Sequence, residues 1–220
     1  FEQEIKYPYT VIRTDYMSST DLDQYNVIVM PSGSYRNAGD SFSGKLNKWV
    51  RSGGKLILIE SALNSFKDND RSSLTTYFDD EEKKRLKNDE VTKEMVLATN
   101  EDKSRNWLES AIPGAIYQVT LDEGHKLAYG LEGDYYSLKT RGSRFAYMKN
   151  GSNVGTIRSK SDLMGGYVGT KVQERLNETL VFGTERKGSG SMVYFIDNPH
   201  FRSFWYEGKI LFTNAVFHAD

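Results

Sequence analysis

The residues best placed for chemistry are Glu60 and Ser61, which directly follow the apolar run at Lys55–Ile59. Such a run is typical of a strand that is covered on both faces in a parallel sheet. Open α/β sheets place their chemistry at the carboxyl ends of strands, so a reactive group is expected here. A carboxylate in this position can have a raised pKa and act as a general acid or base. The alternative is a structural ion pair between Glu60 and an arginine such as Arg202.

Ser61 is the second candidate at this junction. A serine nucleophile needs a histidine within hydrogen-bond reach and an oxyanion hole. The sequence around Ser61, IESAL, lacks the Gly-x-Ser-x-Gly pattern of a nucleophile elbow. We therefore favour a helix N-cap over a nucleophile at Ser61.

His200 follows the apolar run Met192–Ile196, which predicts a final buried strand. At the end of that strand His200 would face Glu60 and form the acid–base pair of a hydrolase. The alternative is a loop histidine that packs beside Pro199 among aromatic residues. Those aromatic residues form an exposed binding surface, a domain interface or part of the core, with Arg202 as a latch or an interface contact. The binding or interface candidates are Arg202, Phe204, Trp205 and Tyr206.

The composition excludes several function classes. Lys and Arg total 29 against 30 for Asp and Glu, so the net charge of −1 offers no global attraction to nucleic acid or an anionic membrane. The absence of cysteine excludes disulfides, thiol catalysis and cysteine-ligated zinc. No apolar stretch approaches the roughly 20 residues of a membrane span.

The order of predicted elements indicates an α/β fold. A strand at Asn26–Met30, a helix that starts at Asp40 and stops at Gly53, and a strand at Lys55–Glu60 make a β-α-β unit, which implies a parallel sheet. A strand at Tyr9–Arg13 precedes this unit and a short helix at Ser61–Phe66 follows it. Further strands are predicted around Ile112–Val119, Tyr135–Leu138, Phe145–Met148, Val154–Ile157, Leu180–Phe182 and Met192–Ile196, and a closing helix at Lys209–Phe217.

Residues 67–105 are charged and poor in apolar side chains, which predicts a surface insertion with a solvated helix at Asp79–Glu90. We expect residues 1–220 to form a single α/β domain that carries this insertion. The chain begins at Phe1 without an initiator methionine or the pattern of a signal peptide, so we expect it to be excised from a larger protein.

Three segments together carry a resemblance to a known family. They are YNVIVMPSG with WVRSGGKLILIE (residues 25–33 and 49–60), IPGAIYQV (112–119) with Leu121, Asp122, His125 and residues 127–130, and MVYFIDNPHFRSFWYEGKILFTNAVF (192–217). In this order they resemble the C-terminal domain of exported bacterial zinc carboxypeptidase-like proteins, a domain similar to class I glutamine amidotransferases. The resemblance implies a flavodoxin-like three-layer sandwich with a mostly parallel central sheet. It also implies a periplasmic or extracellular location and an N-terminal peptidase domain as partner.

The resemblance does not bring an activity. Amidotransferases of this class use a cysteine at the elbow, and here that position falls on Glu60 or Ser61. The peptidase zinc motif needs a glutamate three residues after a histidine, and Ala128 and Ser203 stand there after His125 and His200, while His218 has no residue at that offset. We therefore expect no cofactor in this domain, with zinc only in the parent peptidase domain.

These observations lead to three functional hypotheses. The first is a non-catalytic accessory or substrate-positioning domain of such a carboxypeptidase-like protein, with a peptide as the possible substrate. The second is a hydrolase that uses Glu60 and His200. The third is an oligomerisation or interaction module.

Overall fold

The computed structural model describes residues 1–2, 6–35, 39–78, 97–133, 135–203 and 205–219. Eight strands and four α-helices are formed by these residues. The strands are β1 (Val27–Met30), β2 (Lys55–Ile59), β3 (Gly114–Leu121), β4 (Tyr135–Lys139), β5 (Ser152–Ile157), β6 (Leu163–Tyr167), β7 (Thr179–Lys187) and β8 (Gly190–Phe195). The helices are α1 (Gly39–Arg51), α2 (Asn100–Ser110), α3 (Thr170–Arg175) and α4 (Tyr206–Phe217).

The parallel part of the sheet consists of the two strands of the predicted β-α-β unit and β8. β1 pairs with β2 and β2 with β8, in both cases parallel. Helix α1 crosses between β1 and β2, and the side chains predicted at helical spacing, Phe42, Leu46, Trp49 and Val50, are all buried. Gly53 then ends the crossover with a φ of 124°, a conformation that L side chains rarely adopt.

The rest of the sheet is antiparallel, so the prediction of a mostly parallel sheet is wrong and the sheet is mixed. The strand order is β1-β2-β8-β7-β5-β3-β4, with β6 also paired to β3. All pairs beyond β8 are antiparallel. The physical reason is visible at β7 and β8, which are joined only by Gly188 and Ser189, whereas a parallel connection needs a crossover of a dozen or more residues.

The sheet separates two hydrophobic clusters, which makes the fold a three-layer α/β sandwich as predicted. Successive residues of β2 alternate between them, with Leu56 and Leu58 on the α1 side and Ile57 and Ile59 on the α4 side. Strand β8 alternates in the same way. The two strands that lead to Glu60 and Asp197 are therefore buried on both faces.

A buried ion pair shows that the antiparallel part of the sheet is curled. Lys139 Nζ in β4 lies 3.0 Å from each carboxylate oxygen of Asp197, which follows β8, and Ser137 Oγ donates to the same carboxylate at 2.8 Å. Strands β7, β5 and β3 lie between β8 and β4 in the hydrogen-bonded order. In a flat sheet, at about 4.8 Å per strand, β8 and β4 would be about 19 Å apart. Direct contact requires the sheet to bend back on itself.

Aromatic side chains fill the inside of this curl. Tyr135 of β4 packs edge-on against Phe182 of β7, with ring centroids 5.2 Å apart. Phe182 in turn lies 6.4 Å from Phe195 of β8. All three side chains are buried, so the ion pair and the apolar core act on the same strands.

Several predicted elements need correction. Tyr9–Arg13 is not a strand, because it pairs with no strand among the described residues and most of its side chains are exposed. Phe145–Met148 is not a strand, because Phe145 forms only an isolated bridge with Thr76, although its carbonyl also accepts a hydrogen bond from the Leu180 N–H of β7 at 2.9 Å. The short helix predicted at Ser61–Phe66 is present, as a 3-10 helix shifted by one residue to Glu60–Ser65. The helix predicted at Asp79–Glu90 lies outside the described residues.

Other predictions are confirmed, namely the strands around Tyr135–Leu138, Val154–Ile157, Leu180–Phe182 and Met192–Ile196, and the closing helix, which begins earlier at Tyr206. Strand β6 and helices α2 and α3 were not predicted. Within the described parts of the chain, no helix is both long enough and apolar enough to cross a membrane.

Replacing Lys139 by methionine should destabilise the protein strongly, because it leaves Asp197 near the interior without a counter-charge. Loss of one partner of a buried ion pair typically costs about 3–5 kcal/mol. We expect the free energy of unfolding, measured by urea denaturation, to fall by this amount. Lys160→Met, which breaks the exposed pair between Lys160 and Glu174, is the matched control and should have a much smaller effect. Equal effects of the two substitutions would show that the buried pair does not hold the curl.

A histidine makes a second link across the curled half. His125 lies in the turn after β3, where Nδ1 accepts a hydrogen bond from the Leu127 backbone N–H at 3.0 Å. Because Nδ1 is an acceptor, the neutral ring carries its proton on Nε2, which lies 3.1 Å from Thr184 Oγ1 in β7. Burial lowers the pKa of His125, Asp122 partly opposes this shift, and Lys126 adds to it.

Stability should therefore depend on His125 between its folded pKa and its unfolded pKa of about 6.5. The folded state binds fewer protons in this window, so the free energy of unfolding falls as the pH drops below about 6.5. We expect urea unfolding at pH 7.5 and pH 5.5 to show this loss in the wild-type protein and a smaller loss in His125→Gln. The same loss in both proteins would contradict the assignment.

Candidate functional site

A polar cavity of about 170 Å³ opens at the carboxyl ends of β2 and β8. The turn after β2 supplies one part of its lining, the residues after β8 supply another, and the segment that follows β4 closes a third side. The lining residues are Glu60, Ser61, Asn64, Lys67, Thr76, Thr140, Arg141, Gly142, Ser143, Arg144, Phe145, Ile196 and Asp197. This is the sheet edge at which α/β folds place their binding sites.

Glu60 has a strained backbone. It follows β2 directly, it is half-buried in the cavity lining, and its φ is 48°, in the left-handed region that favours glycine. A residue other than glycine in a sparsely populated region costs about 1–3 kcal/mol, and such residues cluster at functional sites. The backbone thus has the sharp strand-to-helix turn of a nucleophile elbow, with a carboxylate side chain in place of a nucleophile.

Ser61 has a positioning role in this turn. Its Oγ accepts a hydrogen bond from the Gly33 N–H at 2.8 Å and donates to the Gly33 carbonyl at 3.1 Å. It also lies 2.9 Å from the hydroxyl of Ser32. The N-cap predicted at Ser61 is wrong, because the N-cap of the 3-10 helix is Ile59 and Ser61 lies inside the helix. Ser61 therefore fastens the turn after β2 to the loop after β1.

Asp197 is a site residue that the sequence reasoning missed. It stands two residues beyond the last residue of β8, at the same sheet edge as Glu60, and it lines the cavity. Lys139 and Ser137 both donate hydrogen bonds to its carboxylate, and the Lys139 side chain is only 1% exposed. The rule that drew attention to Glu60, a polar residue after a buried strand, could also have found Asp197.

Positive side chains come from the segment after β4 and from the loop after β2. Arg144 Nε donates to the Tyr77 carbonyl at 3.0 Å, next to the bridge between Thr76 and Phe145. Lys67 Nζ lies 5.9 Å from the centre of the Phe145 ring and 4.0 Å from the Asp68 carboxylate. These contacts connect the two segments that carry the positive charges. Arg141, also in the lining, is exposed to solvent.

His200 does not line this cavity. Its ring packs edge-on against Phe212 of α4, with the ring centres 4.4 Å apart. Its backbone N–H donates to Asn198 Oδ1 at 2.9 Å. The structure therefore places His200 against a helix and brings Glu60 together with Asp197.

The aromatic segment after His200 divides between core and solvent. Trp205 Nε1 donates to the Tyr136 carbonyl of β4, and its ring packs against the buried cluster. Tyr206 is 73% exposed, with Lys209 Nζ 5.6 Å from its ring centre. Arg202 is exposed with a φ of 52°, lies 5.2 Å from the Phe201 ring centre and makes no ion pair with Glu60. Phe204 lies outside the described residues.

No group of three histidine, aspartate or glutamate side chains that could hold a metal ion is found in the part of the chain that the structure describes. The described part of the cavity lining instead brings together two carboxylates, three cationic side chains, several hydroxyl groups and one side-chain amide. Such a set can form hydrogen bonds and charge-assisted contacts with a small polar molecule.

No family model and no curated protein matches this chain. Two solved structures are similar to this chain at a TM-score of 0.50 and 13% sequence identity. One is a ThuA-like protein from Bacteroides uniformis ATCC 8492, and the match covers 92% of this chain and 72% of that chain. The other is a cytoplasmic protein from Salmonella typhimurium, and the match covers 96% of this chain and 75% of that chain. A second ThuA-like protein, from Parabacteroides merdae ATCC 43184, is similar at a TM-score of 0.45 with 13% identity, covering 82% of this chain and 63% of that chain.

These similarities show the fold alone, which is the class I glutamine amidotransferase-like α/β fold of ThuA-like proteins. The resemblance to a carboxypeptidase C-terminal domain is therefore wrong, because the structural neighbours are ThuA-like proteins. Its sequence basis lay in the strands and the closing helix, which belong to the scaffold. The expectations of an exported protein and a partner peptidase domain rested on that resemblance and have no other support.

The strain at Glu60 can be measured with two substitutions that both remove the carboxylate. Glycine at position 60 would adopt a φ of 48° without strain, whereas alanine would keep the strain. We expect the glycine variant to be more stable than the alanine variant by about 1 kcal/mol, after the entropy cost of glycine is subtracted from the strain. Urea unfolding of both proteins is the measurement. A glycine variant that is less stable than the alanine variant would contradict a strained turn.

Proposed function

We propose that this chain is a ligand-binding domain on an amidotransferase-like scaffold, and that it holds a small polar ligand beside Glu60 without hydrolysing it. The observation that carries this proposal is the strained carboxylate at the elbow, where an enzyme of this fold would present a nucleophile. The cavity around it supplies hydrogen-bonding groups from three parts of the chain.

The chemistry of the turn after β2 supports binding over catalysis. The chain contains no cysteine, so glutamine hydrolysis through a thioester is excluded by residue type. The Ser61 hydroxyl is occupied by its contacts with Ser32 and Gly33. Of the histidines, all three of which the structure describes, none lines the cavity to act as its base.

A binding domain of this kind acts as an accessory unit that positions a substrate or senses a small molecule for another protein. The exposed Arg202 and Tyr206 are the side chains proposed to contact such a partner. Both residues belong to the chain segment that follows β8, and this segment leaves the sheet at the same edge as Asp197.

The second candidate function is a hydrolase with Glu60 as its general base. The strained, half-buried carboxylate in the cavity favours it. The original pairing with His200 would require that ring to leave Phe212 and turn towards the cavity. Asp197 is an acidic residue in the same lining, but Lys139 and Ser137 already bind its carboxylate.

A turnover assay separates the two functions. The purified chain is incubated with glutamine, generic esters, and free and C-terminally blocked peptides, and we expect no turnover above the buffer rate. Turnover that is lost in Glu60→Gln or His200→Ala, and kept in the exposed control Glu123→Gln, would establish the hydrolase and overturn the binding domain.

The binding itself is tested by NMR. Addition of small polar molecules to the labelled chain should shift backbone amides of residues 140–145 and 60–64. Shifts confined to residues outside the cavity would count against this site.

A further inference from the structure

Building on the proposed function, we infer that the ligand of this cavity is a small zwitterion of the ω-amino acid type. Its ammonium group is bound by Glu60 and its carboxylate by Arg141. Three features of the described lining support this ligand, namely the charged groups that are still available, the apolar side chains beside them and the volume of the cavity.

Two charged side chains of the described lining remain available to a ligand. The side chains of Glu60 and Arg141 make no hydrogen bond, ion pair or ring contact with any other described residue. Glu60 is half-buried at the end of β2, and Arg141 is exposed in the segment after β4. A carboxylate binds an ammonium group, and a guanidinium group binds a carboxylate, through charge-assisted hydrogen bonds. A molecule that carries both groups would therefore satisfy both side chains.

The other charged side chains of the described lining are already engaged within the protein. The Asp197 carboxylate is bound by two donors of β4. Arg144 Nε donates to the Tyr77 carbonyl at 3.0 Å, and this side chain has a further interaction as well. Lys67 Nζ lies 4.0 Å from the Asp68 carboxylate. One negative and one positive group are thus left for the ligand, which favours a zwitterion over an anion.

The two available charges belong to different parts of the chain. Glu60 begins the turn after β2, whereas Arg141 stands two residues beyond the end of β4. Their charged atoms form no ion pair with each other, although both side chains line the same cavity. A ligand that reaches both must therefore hold its own charges apart. An ω-amino acid does so, because a methylene chain separates its ammonium group from its carboxylate.

The apolar part of the lining suits such a methylene chain. Phe145 and Ile196 both line the cavity, and both are buried. Methylene groups gain free energy when they leave water for an apolar surface. The cavity volume of about 170 Å³ is below the roughly 300–1,000 Å³ of drug-sized sites. A chain of a few carbon atoms between two charged ends matches both properties.

Uncharged donors beside Arg141 complete the site for the carboxylate. Thr140 and Ser143 line the cavity, and their hydroxyls make no hydrogen bond with another described residue. Both can donate to a carboxylate oxygen. The hydroxyls of Ser61 and Thr76 are not counted, because neighbouring residues already bind them. The carboxylate of the ligand therefore lies at the segment after β4, and its ammonium group lies at the turn after β2.

The test is isothermal titration calorimetry with β-alanine, γ-aminobutyrate and δ-aminovalerate. Each is compared with the carboxylate and the amine of the same chain length, which both lack one charged group. We expect one amino acid to bind about tenfold or more tightly than both of its analogues, because it gains a second charge-assisted contact. Binding should weaken as sodium chloride is raised. Analogues that bind as tightly as the amino acids, or no binding by any of the three amino acids, would overturn the inference.

Substitutions assign the two ends of the ligand. In Glu60→Gln the preferred amino acid should bind no more tightly than its carboxylate analogue, and in Arg141→Gln no more tightly than its amine analogue. Glu123→Gln and Arg186→Gln, which change exposed side chains outside the cavity lining, should keep the full preference. A cavity variant that also keeps the tenfold preference would overturn the inference. Urea unfolding of each variant verifies that the fold is intact.

The result is separable from the proposed function. If none of the three amino acids binds, this inference fails, and shifts of the cavity amides by another small polar molecule in the NMR titration would still support a binding domain. Hydrolysis of an ester substrate that depends on Glu60 would overturn the proposed function while leaving the preference for a zwitterion measurable.

Discussion

The ion pair between Lys139 and Asp197 joins two strands that share no backbone hydrogen bonds. β4 and β8 are separated by three strands in the sheet, and their contact requires the antiparallel half to curl. Taking two charges out of water is costly, and a well-packed apolar pair is often as stable. Apolar packing is already present beside it, between Tyr135, Phe182 and Phe195. The pair is thus better explained by the position it imposes on Asp197 than by stability alone.

The cavity depends on that curl. Its floor includes Asp197, and one of its walls is the segment 140–145, which begins directly after Lys139 at the end of β4. The same ion pair therefore brings the wall towards the ends of β2 and β8. In a flatter sheet the arginines of this segment would be far from Glu60, and the edge would carry no enclosed site. The ion pair between Lys139 and Asp197 therefore links the curl of the sheet to the lining of the cavity.

The sequence predicted what depends on local pattern. The β-α-β unit was correct because apolar runs, helical spacing and a terminal glycine are local signals, and the position of Glu60 followed from the end of a strand. The pairing order of the short strands is non-local and could not be derived. A buried lysine is rare, so Lys139 gave no sign of its role. Asp197 follows a buried strand just as Glu60 does, so the same local rule applies to it.

The turn after β2 differs from the other strained positions in the chain. Six described residues other than glycine have a positive φ, and of these only Glu60 lines the cavity. Its neighbours fix it on both sides, because Ile59 is paired with Phe195 in the parallel ladder and Ser61 is bound to the loop after β1. A glycine would relieve the strain without altering these contacts. A carboxylate is held there instead, in the lining of the cavity, and strained residues of this kind cluster at functional sites.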